Sequence, residues 1–273
     1  MNFWKSKLNS VTLCPKHIIL MGYKYKVDHN YFKKIDDEYK AYILGFIYAD
    51  GCVSQPVGNR QLNFRIGVQE EDSYILNNLS IDAAGGQIHT VKTPSSISRG
   101  YRPQVCVNVS SNILGQDLID LGCSIRKSRE GMKFPNISTE MIPHFIRGFM
   151  DGDGSIIIKP LGYKYKRKTT WTVSNAHSQQ YKLKVAFCST DKQFLEKIVE
   201  YLPISKSYIA EKKRTQIVYI LWIENSQDVQ DCLNYLYKNA TYFLKRKRDK
   251  FEEFNKTIKS QAEDESSEGL ETT

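Results

Sequence analysis

Apolar and polar positions along the chain fall into two blocks with the same rhythm. In the first, acids at Asp36, Asp37 and Glu38 precede an apolar helical run that ends at Asp50-Gly51; acids suit the positive end of a helix dipole. Leu62, Phe64, Ile66 and Val68 then alternate with Asn63, Arg65, Gly67 and Gln69, the period-two pattern of a strand with one apolar and one polar face. Glu71 to Leu79 reads as a short helix. Gly85-Gly86 opens a strand pair, 88–92 and 102–109, where Val105, Val107 and Val109 alternate with Gln104, Cys106 and Asn108. Ser110-Ser111 can cap a helix over 112–121 that Gly122 ends. The second block starts with a helix from Thr139 to Asp153, then a strand over 155–159 and a polar insertion reaching Gln180. A strand over 182–189 and a helix over 191–202 follow, the helix carrying Phe194, Leu195, Ile198, Val199 and Leu202 on one face. Strands 207–211 and 216–224 and a helix over 225–237 complete the block, and 249–259 reads as a terminal helix. The second block has the order αββαββα, and the first is taken as the same order, with one strand of its leading pair showing no pattern of its own. A repeat of that size predicts an α+β fold with pseudo-two-fold symmetry and the opening helix of each block on the axis.

Those two opening helices share a motif. Phe145-Ile146-Arg147-Gly148-Phe149-Met150-Asp151-Gly152-Asp153-Gly154 has a degraded twin in Ile43-Leu44-Gly45-Phe46-Ile47-Tyr48-Ala49-Asp50-Gly51. Gly45 and Ala49, and likewise Gly148 and Gly152, stand at i and i+4 and so share a helix face. Faces of small residues let two helix backbones come into contact. The terminal glycines suit left-handed C′ positions. Asp50 and Asp153 then sit at the negative end of a helix, where a carboxylate costs some tenths up to about 1 kcal/mol. Brought together, they would also repel each other. One local rule broken twice in the same way points to a functional site. A divalent cation relieves both costs, and Mg²⁺ is bound through one or two carboxylates plus phosphates and waters.

On these two motifs the sequence resembles the LAGLIDADG homing endonucleases in their single-chain form with two motifs. The match is close from Ile146 to Gly154; in the first copy Tyr48 stands where the family often has its earlier acid. The resemblance implies a site-specific, double-strand DNA endonuclease with a long recognition site and a saddle of two antiparallel sheets along the major groove. It implies metal ligands at Asp50 and Asp153, with the carbonyls of Ala49 and Gly152 adding to them. It also implies lysines beside the metal, assigned to Lys127 and Lys247 with Arg126 and Lys245 as neighbours, and a water-organising residue at Gln69 whose mate falls near Ser189. Asn63, Arg65, Gln104, Asn108, Lys182 and Lys184 lie on polar strand faces that would meet base edges and phosphates. Lys164, Lys166, Arg167 and Lys168 in the insertion suit phosphates better than bases. The same fold could instead serve an intron RNA-binding maturase or a non-cleaving DNA-binding regulator; an intein is disfavoured by both chain ends.

Composition changes this picture in one respect. Among 273 residues, 39 Lys and Arg outweigh 30 Asp and Glu. The last 13 residues hold five acids and no base, so the remainder stands at +14. A basic body suits a polyanionic partner, double-stranded DNA in the first instance. Six scattered cysteines without a CxxC pair suit reduced thiols rather than zinc. No apolar run long enough to span a membrane and no signal-like N-terminus are evident, so a cytoplasmic monomer with internal symmetry is expected. The expected divisions are a lead-in segment 1–35, a first repeat 36–130, a second repeat with terminal helix 131–260, and a disordered acidic tail 261–273.

Overall fold

The computed structural model describes residues 26–91 except 57 and 59, 103–160 except 126, and 181–268 except 214. Most of the lead-in, Arg126, the insertion lysines and Arg167, and residues 269–273 lie outside the described residues.

Helix α1 (Glu38–Asp50) starts at Asp37, whose carboxylate accepts the Lys40 amide at 2.8 Å. Its sequence is apolar on nearly every side, and it is buried from Ala41 to Ala49; a helix with no polar face has to be surrounded. Strands β1 (Cys52–Ser54), β2 (Asn63–Gln69), β3 (His89–Val91) and β4 (Gln104–Ser110) form an antiparallel sheet in the order β1-β2-β4-β3. Helix α2 (Asn112–Asp120) packs behind it, capped by the Ser111 hydroxyl on the Leu114 amide. After a helical turn at Lys127–Glu130, helix α3 (Ile142–Asp153) begins the second repeat. Strands β5 (Gly154–Pro160), β6 (Tyr181–Ser189), β7 (Tyr208–Lys213) and β8 (Ile217–Ile223) form the matching sheet, β5-β6-β8-β7. Helices α4 (Lys192–Tyr201) and α5 (Ser226–Tyr237) cover its inner side, and α6 (Lys245–Glu268) ends the described chain. The expected α+β pair of repeats is the observed one.

In each sheet the pleat sorts the side chains. Phe64, Ile66, Val107 and Val109 of the first sheet, and Val185, Phe187, Leu221 and Ile223 of the second, are buried under the helices. The intervening residues face outward, with Arg65 directly opposite Asn108 and Gln69 opposite Gln104. Between the repeats, Tyr48, Phe145, Phe149 and Phe194 form an aromatic cluster, with Tyr48 to Phe145 and Phe149 to Phe194 both at 4.9 Å between centroids. Edge-to-face pairs of this kind add about 0.5–1.5 kcal/mol beyond area burial. Among the described residues no helix is long and apolar enough to cross a membrane, and the five cysteines are all free.

Four details depart from the sequence reading. The segment expected as a helix over 71–79 is a 3₁₀ helix at Glu70–Leu76 that passes into a π turn at Leu79–Ala83. The cause is Tyr39: its hydroxyl donates to the Ile75 carbonyl at 2.7 Å and accepts the Leu79 amide at 2.9 Å. It therefore stands in the gap that one α-helical hydrogen bond would have closed. Strand β1 spans three residues, too few to show a period, and exists because Cys52 pairs with Arg65 across the sheet. The terminal helix runs eight residues into the segment expected to be a disordered tail; Gln261, Ala262 and Glu263 are good helix formers. Finally, Gly51 and Gly154 are extended, at φ −79° and −94°, not left-handed. The chain passes from helix straight into strand at both places, and glycine is needed for room instead. A Cβ on Gly51 would lie 2.7 Å from the Ile47 carbonyl oxygen, and one on Gly154 2.5 Å from that of Met150.

Candidate functional site

Helices α1 and α3 touch backbone to backbone. A Cβ on Gly45 would collide with the Phe145 carbonyl oxygen, and one on Gly148 with that of Tyr42, so the two contacts mirror each other. Further along, a Cβ on Gly152 would strike that of Ala49 and lie 3.3 Å from Asp50 Oδ2. The four small residues read from the sequence are thus the helix seam, and the seam delivers both aspartates to one place.

Both carboxylates reach solvent, yet the protein beneath them withholds water. Burial raises the pKa of Asp50, opposed by the charges of Lys127, Arg246 and Lys247. Burial and then repulsion from Asp50 push Asp153 up to about 6, against the pull of Lys127 and Lys247. Among the described residues neither carboxylate accepts a hydrogen bond.

Lys127 and Lys247 complete the site, though not by ion-pairing to the acids. Lys127 Nζ donates to the carbonyls of Ile47 (3.4 Å), Tyr48 (3.0 Å) and Ala49 (2.5 Å) at the C-terminus of α1. Lys247 Nζ donates to the Gly154 carbonyl just past α3. Each ammonium therefore caps the negative end of its own repeat's motif helix. Desolvation lowers the pKa of Lys127, and it lowers Lys247 to about 8, with Asp151 opposing and Arg246 reinforcing the shift. The Ala49 carbonyl, expected to face a metal, is engaged by Lys127.

The site fits a divalent ion of the oxygen-ligand class. It presents two exposed acids without protein donors, kept apart from the nearby cations. Among the described residues no group of three or more His, Cys, Asp or Glu could enclose an ion. An ion held here would take its remaining ligands from waters or a phosphate, as Mg²⁺ commonly does.

Residues 146–258 match the family model described as LAGLIDADG endonuclease. That match covers the second repeat, and the fold of the described residues is that of solved LAGLIDADG structures. The structure of I-SmaMI bound to uncleaved DNA target in the presence of calcium ions is similar over 84% of this chain and 93% of that one, with a TM-score of 0.54 and 16% identity. I-AabMI bound to uncleaved DNA is similar at TM-score 0.54 and 14% identity, covering 83% and 92% of the two chains. I-LtrWI bound to target DNA gives 0.51 and 13%, covering 85% and 92%. The search of curated proteins gave no match.

Within the LAGLIDADG pattern, the departure at Tyr48 has a structural explanation. Its counterpart Asp151 is fully buried and accepts from the Tyr42 hydroxyl (2.9 Å), the Tyr237 hydroxyl (2.5 Å) and the Leu244 amide (2.7 Å). Tyr48 instead shares its hydroxyl proton between the carbonyls of Leu121 (2.5 Å) and Lys133 (2.8 Å). One position accepts and the other donates, but both tether the segment that leads from the repeat's last helix to its lysine. Gly122, at φ +111°, leaves the space that the Tyr48 hydroxyl fills.

Sequence reasoning missed a second buried group, at the other end of the seam. Arg147, 1% exposed, donates to the carbonyls of Tyr242 (2.8 Å) and Leu236 (3.0 Å) and to Glu38 Oε1 (2.7 Å). Burial alone would raise Glu38, but the Thr241 and Tyr242 amides and Arg147 outweigh it and leave its pKa lowered. A charged residue inside the apolar LAGLIDADG helix was the signal available. Arg246, which acts on Asp50 and whose Nε lies 3.4 Å from Asp72 Oδ2, went unassigned because Asp72 comes from the other repeat.

The remaining expected residues divide by sheet. Asn63, Arg65, Gln69, Gln104 and Asn108 share the outward face of the first sheet. Lys182 and Lys184 face outward from the second, but Lys184 is ion-paired to Glu224. Ser189 is no partner for Gln69: it is buried, and its hydroxyl accepts the Asp191 amide at 3.0 Å at the start of α4. Cys52 and Ser155 hold the same place in the two repeats and pair with Arg65 and Ala186, so the counterpart of Gln69 is Thr190.

Proposed function

We propose that this chain is a metal-dependent DNA endonuclease that hydrolyses one phosphodiester on each strand of a long double-stranded site. The observation that carries this reading is the delivery of Asp50 and Asp153, one per repeat, to a shared seam between two outward-facing sheets. DNA-bound I-SmaMI, I-AabMI and I-LtrWI, of the same fold, support a duplex partner. Calcium in the uncleaved I-SmaMI complex supports a divalent ion, and Mg²⁺ suits this donor set.

A bound divalent ion would supply Lewis acidity at a phosphoryl oxygen and lower the pKa of a bound water. Asp50 and Asp153 would hold it, each nearest the phosphate of one strand. Lys127 and Lys247 keep positive charge beside the acids without neutralising them by direct pairing, so it remains available to charge developing on the phosphate. With a pKa of about 8, Lys247 is still largely protonated at neutral pH. Gln69, exposed at the end of β2, would orient water in the first half-site; Thr190 offers a hydroxyl in the second. The sheets would lie along the major groove, and the Arg, Asn and Gln side chains of the first provide fork and amide donors suited to guanine and adenine.

The test is cleavage of a plasmid carrying the native insertion locus, with Mg²⁺ and with EDTA, by the wild type and by Asp50→Asn and Asp153→Asn. Mg²⁺-dependent linearisation lost in both variants is the expected result. Binding without any cut would instead identify a regulator or an RNA-binding role.

A further inference from the structure

The two outward faces differ in kind. On the first sheet Asn63, Arg65, Gln69, Gln104 and Asn108 supply hydrogen-bonding groups along its length. On the second, the corresponding positions include Ile157, Ala186, Ile220 and Trp222. Amid these stands an acid, Glu224, which phosphates would repel.

Glu224 is held in a defined geometry. Its Oε1 is ion-paired to Lys184 Nζ and accepts the Tyr208 hydroxyl at 3.0 Å. Lys184 Nζ in turn lies 5.2 Å from the centre of the Trp222 ring, a favourable place for a cation. The hydrogen bond from Lys184 keeps the Glu224 carboxyl below its usual range, so it stays ionised. Among the described residues both bonds fall on Oε1, which leaves Oε2 open, and the ammonium has two further protons to give. The cluster therefore presents two donors beside one acceptor. In the major groove a G·C pair shows two acceptors, guanine N7 and O6, followed by one donor, cytosine N4. An A·T pair shows acceptor, donor, acceptor, which does not match.

We propose that Lys184 and Glu224 together read a single G·C base pair in the half-site of the second repeat, with Trp222 and Tyr208 holding the two side chains in place. This rests on the reading of the sheets as a DNA-binding surface.

The experiment is selection of bound duplexes from libraries of the target randomised one base pair at a time, using the full chain and its Lys184→Met and Glu224→Gln variants. The wild type is expected to prefer G·C by about tenfold or more at one position. Each variant should abolish that preference at the same position, and leave other positions and the salt dependence unchanged. Variants that retain every base preference overturn the proposal. So does a fall of about 0.9 in the slope of log affinity against log salt for Lys184→Met, which marks a phosphate contact. A wild type that binds no duplex at all overturns the endonuclease reading along with it.

Discussion

Asp153→Asn should disable the enzyme and at the same time stabilise the fold. In the native protein the Asp153 carboxyl keeps its proton up to about pH 6, against an ordinary value of 3.8. Between those values the folded state binds more protons than the unfolded chain, so wild-type stability falls as pH rises through the window and stays lowered above it. That displacement corresponds to about 3 kcal/mol. Asp153 is exposed, however, and solvent screening reduces the cost to about 1 kcal/mol. Asparagine removes the charge while keeping the shape. In EDTA, the variant should therefore melt about 2–4 °C above wild type at pH 7. Its advantage should shrink as pH falls through 6 and vanish below about 4. Thermal melts across that range provide the assay. Adding Mg²⁺ should then raise the wild-type midpoint more than the variant's, by linkage. A variant less stable than wild type in EDTA, or an advantage that ignores pH, would refute the claim that the seam holds the acid at an energetic cost.

Gly148→Ala should cost about 3 kcal/mol or more in urea unfolding, because the new methyl meets a backbone carbonyl that cannot move aside. Tyr48→Phe should lose about 1–3 kcal/mol, leaving the Leu121 and Lys133 carbonyls short of a donor; cleavage should fall as well, since the freed segment carries Lys127. Arg147→Met removes the ion pair of Glu38 and the donor to the Leu236 and Tyr242 carbonyls and should destabilise by about 1–3 kcal/mol in the same assay. Lys247→Met should reduce the cleavage rate at least about 100-fold, in line with loss of one preorganised donor, while duplex binding in filter assays stays within a few-fold of wild type.

The sequence by itself determined most of the elements and the seam. Alternating strands, capped helices and the i, i+4 pairs Gly45/Ala49 and Gly148/Gly152 are local patterns, and local patterns follow from backbone geometry alone. Asp50 and Asp153 stood out because each contradicts the dipole of its own helix. What only the tertiary structure decided are pairings between residues far apart along the chain. Lys127 and Lys247 were legible as basic clusters, but their role as caps on the motif helices depends on where the returning chain places them. The Tyr39 hydroxyl that breaks the 70–83 helix, the Arg147–Glu38 pair and the contact of Arg246 with Asp72 each join segments more than 30 residues apart. The same holds for sheet register, which turned Ser189 inward and set Thr190 opposite the place of Gln69. Such contacts depend on distance and orientation in space, and periodicity along the chain carries no record of either.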